Sequence, residues 1–288
     1  MIASALLNQV VQGILLGGLY ALFAVGLSLS VGVMRFVNIA HGDVIVLFSF
    51  VLYALATVLG VPPFVGLVLL LPVGFACGYA LQRVLLHRVV GKSVLQVILV
   101  TFGLSIIMQN GLLEAYGPDT RKLSAGAMET ASIDLGVFVV GVQPLLTFVA
   151  AVVLVAALER LLYHTGLGAR IRAVSDSPAA ADLIGLPSAR IYAIAMGMIA
   201  ATAVVAAGFM SVWTNFDPSI GPSRLLAAFE VVVLGGLGSL WGTLLGGMLL
   251  GVAQSLGAQV DAAWQVLAGH LLFLVVLVLR PQGLLPKH

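Results

Sequence analysis

Residues 44–82, VIVLFSFVLYALATVLGVPPFVGLVLLLPVGFACGYALQ, contain 39 consecutive positions without Asp, Glu, Lys or Arg. A helix that crosses a bilayer needs about 20 apolar residues, so this stretch is long enough for two crossings. Pro62 and Pro63 divide it into two segments of nearly equal length. The stretch therefore predicts two membrane-spanning helices joined by a short turn.

The whole chain of 288 residues shares this character: 8% of it is charged, 61% is hydrophobic, and its mean hydropathy is +1.17. A soluble domain is about 25% charged, so a soluble globular protein is excluded, and the alternating pattern of an outer-membrane barrel is missing. We predict an all-α, polytopic transmembrane helical bundle of about eight or nine spans, with residues 1–288 in a single domain. The longest charge-free runs are 1–34, 44–82, 93–113, 135–158, 191–216, 231–260 and 262–279.

The charged loops orient these spans. Residues 83–92 carry three bases and no acid, and residues 159–190 carry four arginines, so both are assigned to the cytoplasm. The acid-rich segment 114–134 is then external, and Arg280 with Lys287 places the C-terminus inside. For this alternation to hold, the segment between Arg224 and Asp261 must cross an even number of times, as two short helices meeting near residues 238–242 or as a re-entrant pair.

Two polar segments interrupt the apolar runs. The first, Arg35–Asp43, contains Asn38 and His41, and ionisable groups near membrane depth tend to mark pathways. An ordinary cytoplasmic turn, with Asp43 capping the next helix, is the alternative. The second is a stripe at i, i+4 and i+8 on one helix face, which predicts either a pathway lining or hydrogen bonds to other helices. The stripe consists of Thr101, Ser105 and Gln109.

The third informative segment is cytoplasmic, residues 166–190. Ser175, Asp176 and Ser177 are helix-capping residues, Pro178 suits a first helical position, and Gly185 ends the helix. A helix of roughly seven residues is too short to be stable alone, so it needs a docking partner. A separate motor protein is one such partner, and the membrane surface is the alternative.

Nothing in the chain predicts chemistry of its own. Gly91-Lys92-Ser93 resembles the end of a phosphate-binding loop, but Leu86 replaces the required glycine. Cys77 is the only cysteine, which excludes an intrachain disulfide and a cysteine-based metal site. We therefore expect no enzyme activity, no catalytic residue, no metal and no cofactor, and ATP, where it is needed, is expected to bind partner subunits. No internal repeat is visible in the sequence.

Taken together, three strings resemble the permease subunits of branched-chain amino acid ABC importers, of the LivH type rather than its LivM partner. They cover nearly the whole chain in the same order as in that family. The strings are Gly18–Leu22 with Gly32-Val33 and Asn38–Gly42, then Gly166–Arg170 through Ala181, Ile184 and Gly185, and finally Leu234–Ser239 with Gly242 and Gly246-Gly247.

The resemblance implies an inner-membrane permease domain that works by alternating access. It also implies four kinds of partner: a LivM-like paralogous permease, two cytoplasmic ATPase subunits, a periplasmic substrate-binding protein and the lipid bilayer. Asn38 and His41, together with Thr101, Ser105 and Gln109, become candidates for the translocation path. The implied ATPase-coupling residues are Gly166, Gly168, Arg170, Arg172, Ser177, Pro178, Ala181, Leu183, Ile184 and Gly185. The implied helix-packing residues are Gly235, Gly236, Gly238, Gly242 and Gly246.

Glu230 and Leu47–Phe50 depart from the family pattern, which leaves the solute open among branched-chain amino acids and related small polar solutes. The alternative from the residues alone is a stand-alone channel or ion-coupled carrier for a small neutral solute such as urea or an amide. Asn38, His41 and the 101–109 stripe would line such a pore.

Overall fold

A computed structural model describes residues 2–89, 93–134, 136 and 138–285, with side chains from residue 6 onward. The elements of this part of the chain are helices apart from one two-stranded hairpin, which confirms the all-α prediction. Eight of its helices are long and apolar enough to cross a membrane. The helices are α1 (Ile2–Met34), α2 (His41–Leu59), α3 (Pro63–Val84), α4 (Val94–Tyr116), α5 (Val142–His164), α6 (Gly166–Asp176), α7 (Pro178–Leu183), α8 (Ser188–Trp213), α9 (Gly221–Gly235), α10 (Leu240–Val260) and α11 (Ala262–Leu279); the strands are β1 (Ser132–Asp134) and β2 (Val139–Gly141).

The opening stretch folds as predicted, because α2 ends at Gly60 and Pro62 precedes the first residue of α3. The run 135–158 begins its helix only at Val142, since β1 and β2 pair as an antiparallel hairpin before it. The segment between Arg224 and Asp261 forms two helices, as expected, but α9 has only 15 residues. At about 1.5 Å per residue, α9 is too short for a full crossing.

Loops of the same predicted side lie at the same end of the bundle. At the end assigned to the cytoplasm, Ser175 Oγ donates a hydrogen bond to the Gly32 carbonyl (3.0 Å), and the Leu284 N–H donates to the Leu234 carbonyl (3.0 Å). At the other end, the Arg121 N–H donates to the Phe216 carbonyl (2.7 Å). Lys92 and Lys287 lie outside the described residues. We call these ends cytoplasmic and external.

The two halves of the bundle repeat each other in inverted orientation, which the sequence did not reveal. In each half a long helix (α1 or α8) is followed by a broken segment (residues 35–40 or 214–220), a second helix (α2 or α9) and two more helices. The pairings match as well, because α1 packs on α10 and α8 packs on α3. Since α1 ends and α8 begins at the cytoplasmic end of the bundle, the two halves run in opposite directions. Inverted repeats with broken helices are a common transporter design.

Glycines bring the paired helices into contact. A Cβ on Gly17 would lie 2.5 Å from Cα of Met248 on α10, and a Cβ on Gly78 would lie 2.4 Å from the Met196 carbonyl on α8. Small residues at such positions let helix backbones approach closely. As a result α1 and α8 form the most buried part of the bundle, whereas α4 and α11 lie at its periphery.

Candidate functional site

The broken segment between α1 and α2 returns into the bundle. Arg35, at the cytoplasmic end of α1, is the single non-glycine residue with positive φ in the described part of the chain. The Ala40 N–H donates to Asn38 Oδ1 (3.1 Å), and His41 Nε2 lies 2.9 Å from the carbonyl of Phe23, well inside α1. Both Asn38 and His41 are buried. Helix α2 therefore starts deep in the bundle, unlike the helix after an ordinary cytoplasmic turn.

Asp43, in the first turn of α2, joins this segment to the polar stripe of α4. Ser105 Oγ donates to Asp43 Oδ2 (2.6 Å) and Gln109 Nε2 donates to Asp43 Oδ1 (2.9 Å). The Ile39 N–H donates to Thr101 Oγ1 (3.3 Å). Asp43 thus bonds another helix from the first turn of its own. The two polar segments that the sequence singled out separately lie together, and interhelical bonding accounts for the stripe.

A cavity of about 240 Å³ lies beside this network, between α2, α3, α4 and α8. Asn38 and His41 form its polar part, and the other side chains are mainly apolar. Cys77 is exposed and borders the cavity. The remaining lining residues are Val44, Leu47, Phe48, Gly78, Leu81, Leu104, Met108, Met196, Ile199 and Ala200.

The second broken segment, residues 214–220, mirrors the first. Asp217 Oδ1 accepts the Ser219 N–H (2.9 Å), which orders the turn before α9. Helix α9 then begins beside the start of α2, since a Cβ on Gly42 would lie 2.0 Å from the Gly221 carbonyl. The N-termini of α2 and α9 therefore meet inside the bundle. In transporters, helix termini at the breaks of discontinuous helices are typical of solute sites.

A further polar cluster links α1, α9, α10 and α11. Tyr20 Oη donates to Gln254 Oε1, His270 Nδ1 bonds Glu230 Oε1, and the Arg224 guanidinium lies 5.5 Å from the centroid of the Phe23 ring. In the sequence, Glu230 stood out only as a departure from the family pattern, and Arg224 only as the boundary of a segment that must cross an even number of times. The available signal was a charge at each end of the seven-residue segment 224–230, which leads into an apolar run.

On the cytoplasmic side, α6 packs against the bundle through one face. Ile171 and Val174 are buried, and a Cβ on Gly168 would lie 2.2 Å from the Leu162 carbonyl. Gly166 has open space around it. Arg170 is exposed, and Arg172 lies 5.0 Å from the centroid of the Tyr163 ring.

Helix α7 follows α6 directly and packs against it. Ser177 Oγ accepts the Ala180 N–H (3.3 Å) as the N-cap, whereas Ser175, also expected as a capping residue, bonds the end of α1. Pro178 occupies the first turn, and Gly185 ends the helix at φ +81°. A left-handed backbone of this kind suits glycine.

One side of α7 faces the bundle and the other faces away. Ala181 is buried, but Leu183 and Ile184 are 88% and 75% exposed. Asp182 accepts hydrogen bonds from the Ser188 N–H (2.8 Å) and Oγ (2.9 Å). The bond from the backbone N–H, followed by that from the hydroxyl, lowers the pKa of the Asp182 carboxyl.

The glycines predicted to pack helices lie at the cytoplasmic junction of α9, α10 and the C-terminal segment. A Cβ on Gly235 would lie 2.1 Å from the Gly242 carbonyl, and one on Gly246 would lie 2.4 Å from the Val231 carbonyl. Gly238 lies against Gly32 of α1, and Gly283 lies against Gly236. No group of three or more His, Cys, Asp or Glu able to hold a metal occurs in the described part of the chain.

A family model and individual relatives of known description point to the same family. The model of the permease component of branched-chain amino acid transport systems matches residues 9–278. The high-affinity branched-chain amino acid transport system permease protein BraD of Pseudomonas aeruginosa is 30% identical, over 98% of this chain and 96% of its own. LivH of Escherichia coli K12, with the same description, is 28% identical over the same shares. The fructose import permease protein FrcC of Rhizobium meliloti is 27% identical over 84% of this chain and 69% of its own. No solved structure gives a significant match.

Proposed function

The chain belongs to the family of permease components of branched-chain amino acid transport systems, and we propose that it carries branched-chain amino acids or related small polar solutes by alternating access. It is a multi-pass protein of the inner membrane, and its family works with ATPase and binding-protein subunits. We treat residues 1–288 as one permease domain. The observation that carries the proposal is the inverted pair α2 and α9, which each follow a broken segment and whose N-termini meet inside the bundle.

The surface proposed to couple transport to ATP hydrolysis is α7 with its flanking turns. Its apolar residues Leu183 and Ile184 point away from the bundle, and an exposed apolar patch on a cytoplasmic face is typical of a protein interaction site. Arg170 and Arg190 lie exposed on either side of it. In this proposal α6 transmits the motion, because its buried face contacts the bundle and Ser175 bonds the end of α1.

The proposed path lies beside Asp43. Asn38 and His41 border the 240 Å³ cavity, and Ser105 and Gln109 hold the carboxyl that joins α2 to α4. Because α4 is peripheral and is bonded to the core mainly through these polar groups, its displacement would open the cavity. The largely aliphatic lining suits a branched aliphatic side chain.

A LivM-like paralogue is proposed as the second permease. We also propose that the chain is not an enzyme and binds no cofactor, ATP being bound by the partner ATPases. A stand-alone channel or carrier is not favoured, because the relatives named above are permeases of transport systems.

Purification of the tagged chain from its own membrane tests the assembly. The expected complex contains a second permease and two ATPase subunits, and the solute retained by the associated binding protein identifies the cargo. Isolation of this chain alone under conditions that preserve other membrane complexes, together with full uptake after deletion of the ATPase genes, would refute the proposal.

A further inference from the structure

The position of Arg224 calls for a partner that the described part of the chain does not supply. This arginine lies in the first turns of α9, next to the middle of α1, where its guanidinium covers the Phe23 ring. Its Nε is buried without a hydrogen-bond acceptor. None of the ion pairs in the described residues includes it. A cation at this depth without an ion-pair partner is costly, so residues of this kind usually serve function.

Nearby acidic groups do not satisfy it. Asp217 is near enough to act on the charge of Arg224 electrostatically, but it forms no ion pair with Arg224 among the described residues, and its Oδ1 accepts hydrogen bonds from Ser219. Glu230 is bonded to His270. Tyr20, the other group that acts on Arg224 electrostatically, donates its hydroxyl proton to Gln254. The guanidinium therefore keeps its donors for a group outside the described chain.

The surroundings of Arg224 leave room for such a group. On α9 the side chain lies on the same side as buried Ala228 and Val231 and faces α1, away from exposed Leu226. Even so, Arg224 and Tyr20 are only partly buried. Both side chains can therefore be reached by a group from outside the described residues.

We propose that Arg224 binds the carboxylate of the transported solute, in a recess that it shares with Tyr20 and that forms a second point of the path, apart from the cavity beside Asp43. Guanidinium and carboxylate match in charge and in their paired hydrogen-bonding geometry. This inference rests on the proposed function and adds a recognition element: the solute class is a carboxylate-bearing small molecule, and neutral amides or urea are excluded.

Thiol labelling tests the recess directly. Because Cys77 is the only cysteine, Cys77→Ala gives a cysteine-free background. A single reporter cysteine is then introduced, either by Tyr20→Cys or by Leu16→Cys, which lies one helical turn closer to the outside. The complete transporter in liposomes is treated from outside with an anionic or a cationic methanethiosulfonate. The ratio of the anionic to the cationic labelling rate is measured in the reporter protein, in the same protein carrying Arg224→Gln, and in the same protein carrying Arg83→Gln. The last is the control, because Arg83 is an exposed arginine near the cytoplasmic end of α3.

We expect Arg224→Gln to lower this ratio about tenfold, the size typical of one unit charge a few ångströms from the reacting thiol, and Arg83→Gln to leave it unchanged. L-leucine should slow labelling, whereas L-leucinamide, which has no carboxylate, should not. An unchanged ratio, equal protection by both compounds, or no labelling of either reporter would overturn the inference. Failure of the proposed function would give a different result. The complete transporter would then show no ATP-driven leucine uptake, while Arg224→Gln would still lower the ratio of the anionic to the cationic labelling rate.

Discussion

Replacing both exposed apolar residues of α7, Leu183→Ser with Ile184→Ser, should detach the ATPase without unfolding the permease. Complete burial of a Leu or Ile side chain contributes about 1.5–3 kcal/mol. At 88% and 75% exposure, these two side chains still have most of their surface available for docking. Allowing for incomplete burial, the double variant should lose about 3 kcal/mol of binding free energy, which is about a 100-fold weaker affinity.

The assay is equilibrium binding of the purified ATPase to the detergent-solubilised permease. Thermal unfolding of the variant should match that of the unaltered chain, because neither side chain is packed in the bundle. Val260→Ser is the matched control, since Val260 is 73% exposed at the external end of α10. An affinity within twofold of the unaltered chain would refute the assignment of α7 as the docking surface.

Three further changes test other parts of the structure. Gly185→Val forces a β-branched residue into a left-handed backbone, at about 1–2 kcal/mol or more, and should lower solute uptake per ATP hydrolysed, whereas Gly185→Asn should retain most coupling; equal coupling by both variants would contradict this. Gly17→Leu should lower the melting temperature, because the backbone of α10 leaves no space for a Cβ, whereas Gly103→Leu, with open space around it, should not. Because the pKa of Asp182 is lowered in the folded chain, its stabilising bonds persist at neutral pH and are lost as the pH falls through that pKa. The Ser188 amide should therefore exchange its hydrogen slowly at pH 7, and Asp182→Ala should remove this protection. Unchanged exchange in the variant would contradict the role of Asp182.

The number and type of the spans were predictable, because a charge-free run of sufficient length has few alternatives in a membrane protein. Helix ends were less predictable where a charge-free run contained other structure besides a helix. Residues 139–141 are apolar and uncharged, like the helix that follows them, but form strand β2. The short helix α7 was predictable from Ser177, Pro178 and Gly185, since caps and glycine C-termini act locally.

The contacts of the site were not predictable. Asp43 and Ser105 are 62 residues apart, and nothing in the sequence specifies which face of α4 meets α2. The depth of His41 depends on how the 35–40 segment turns back, which charge counting cannot detect. The inverted repeat was missed because the matching helices share an arrangement and not a visible pattern of residues.

ATP-dependent uptake into liposomes tests the central claim most directly. The chain is reconstituted alone, with its permease and ATPase partners, and with those partners plus the binding protein, and entry of labelled leucine is measured with and without ATP. We expect accumulation only in the complete system with ATP, and none with a hydrolysis-deficient ATPase. Equal leucine flux through the chain alone, without ATP, would contradict it and identify the protein as a channel or carrier.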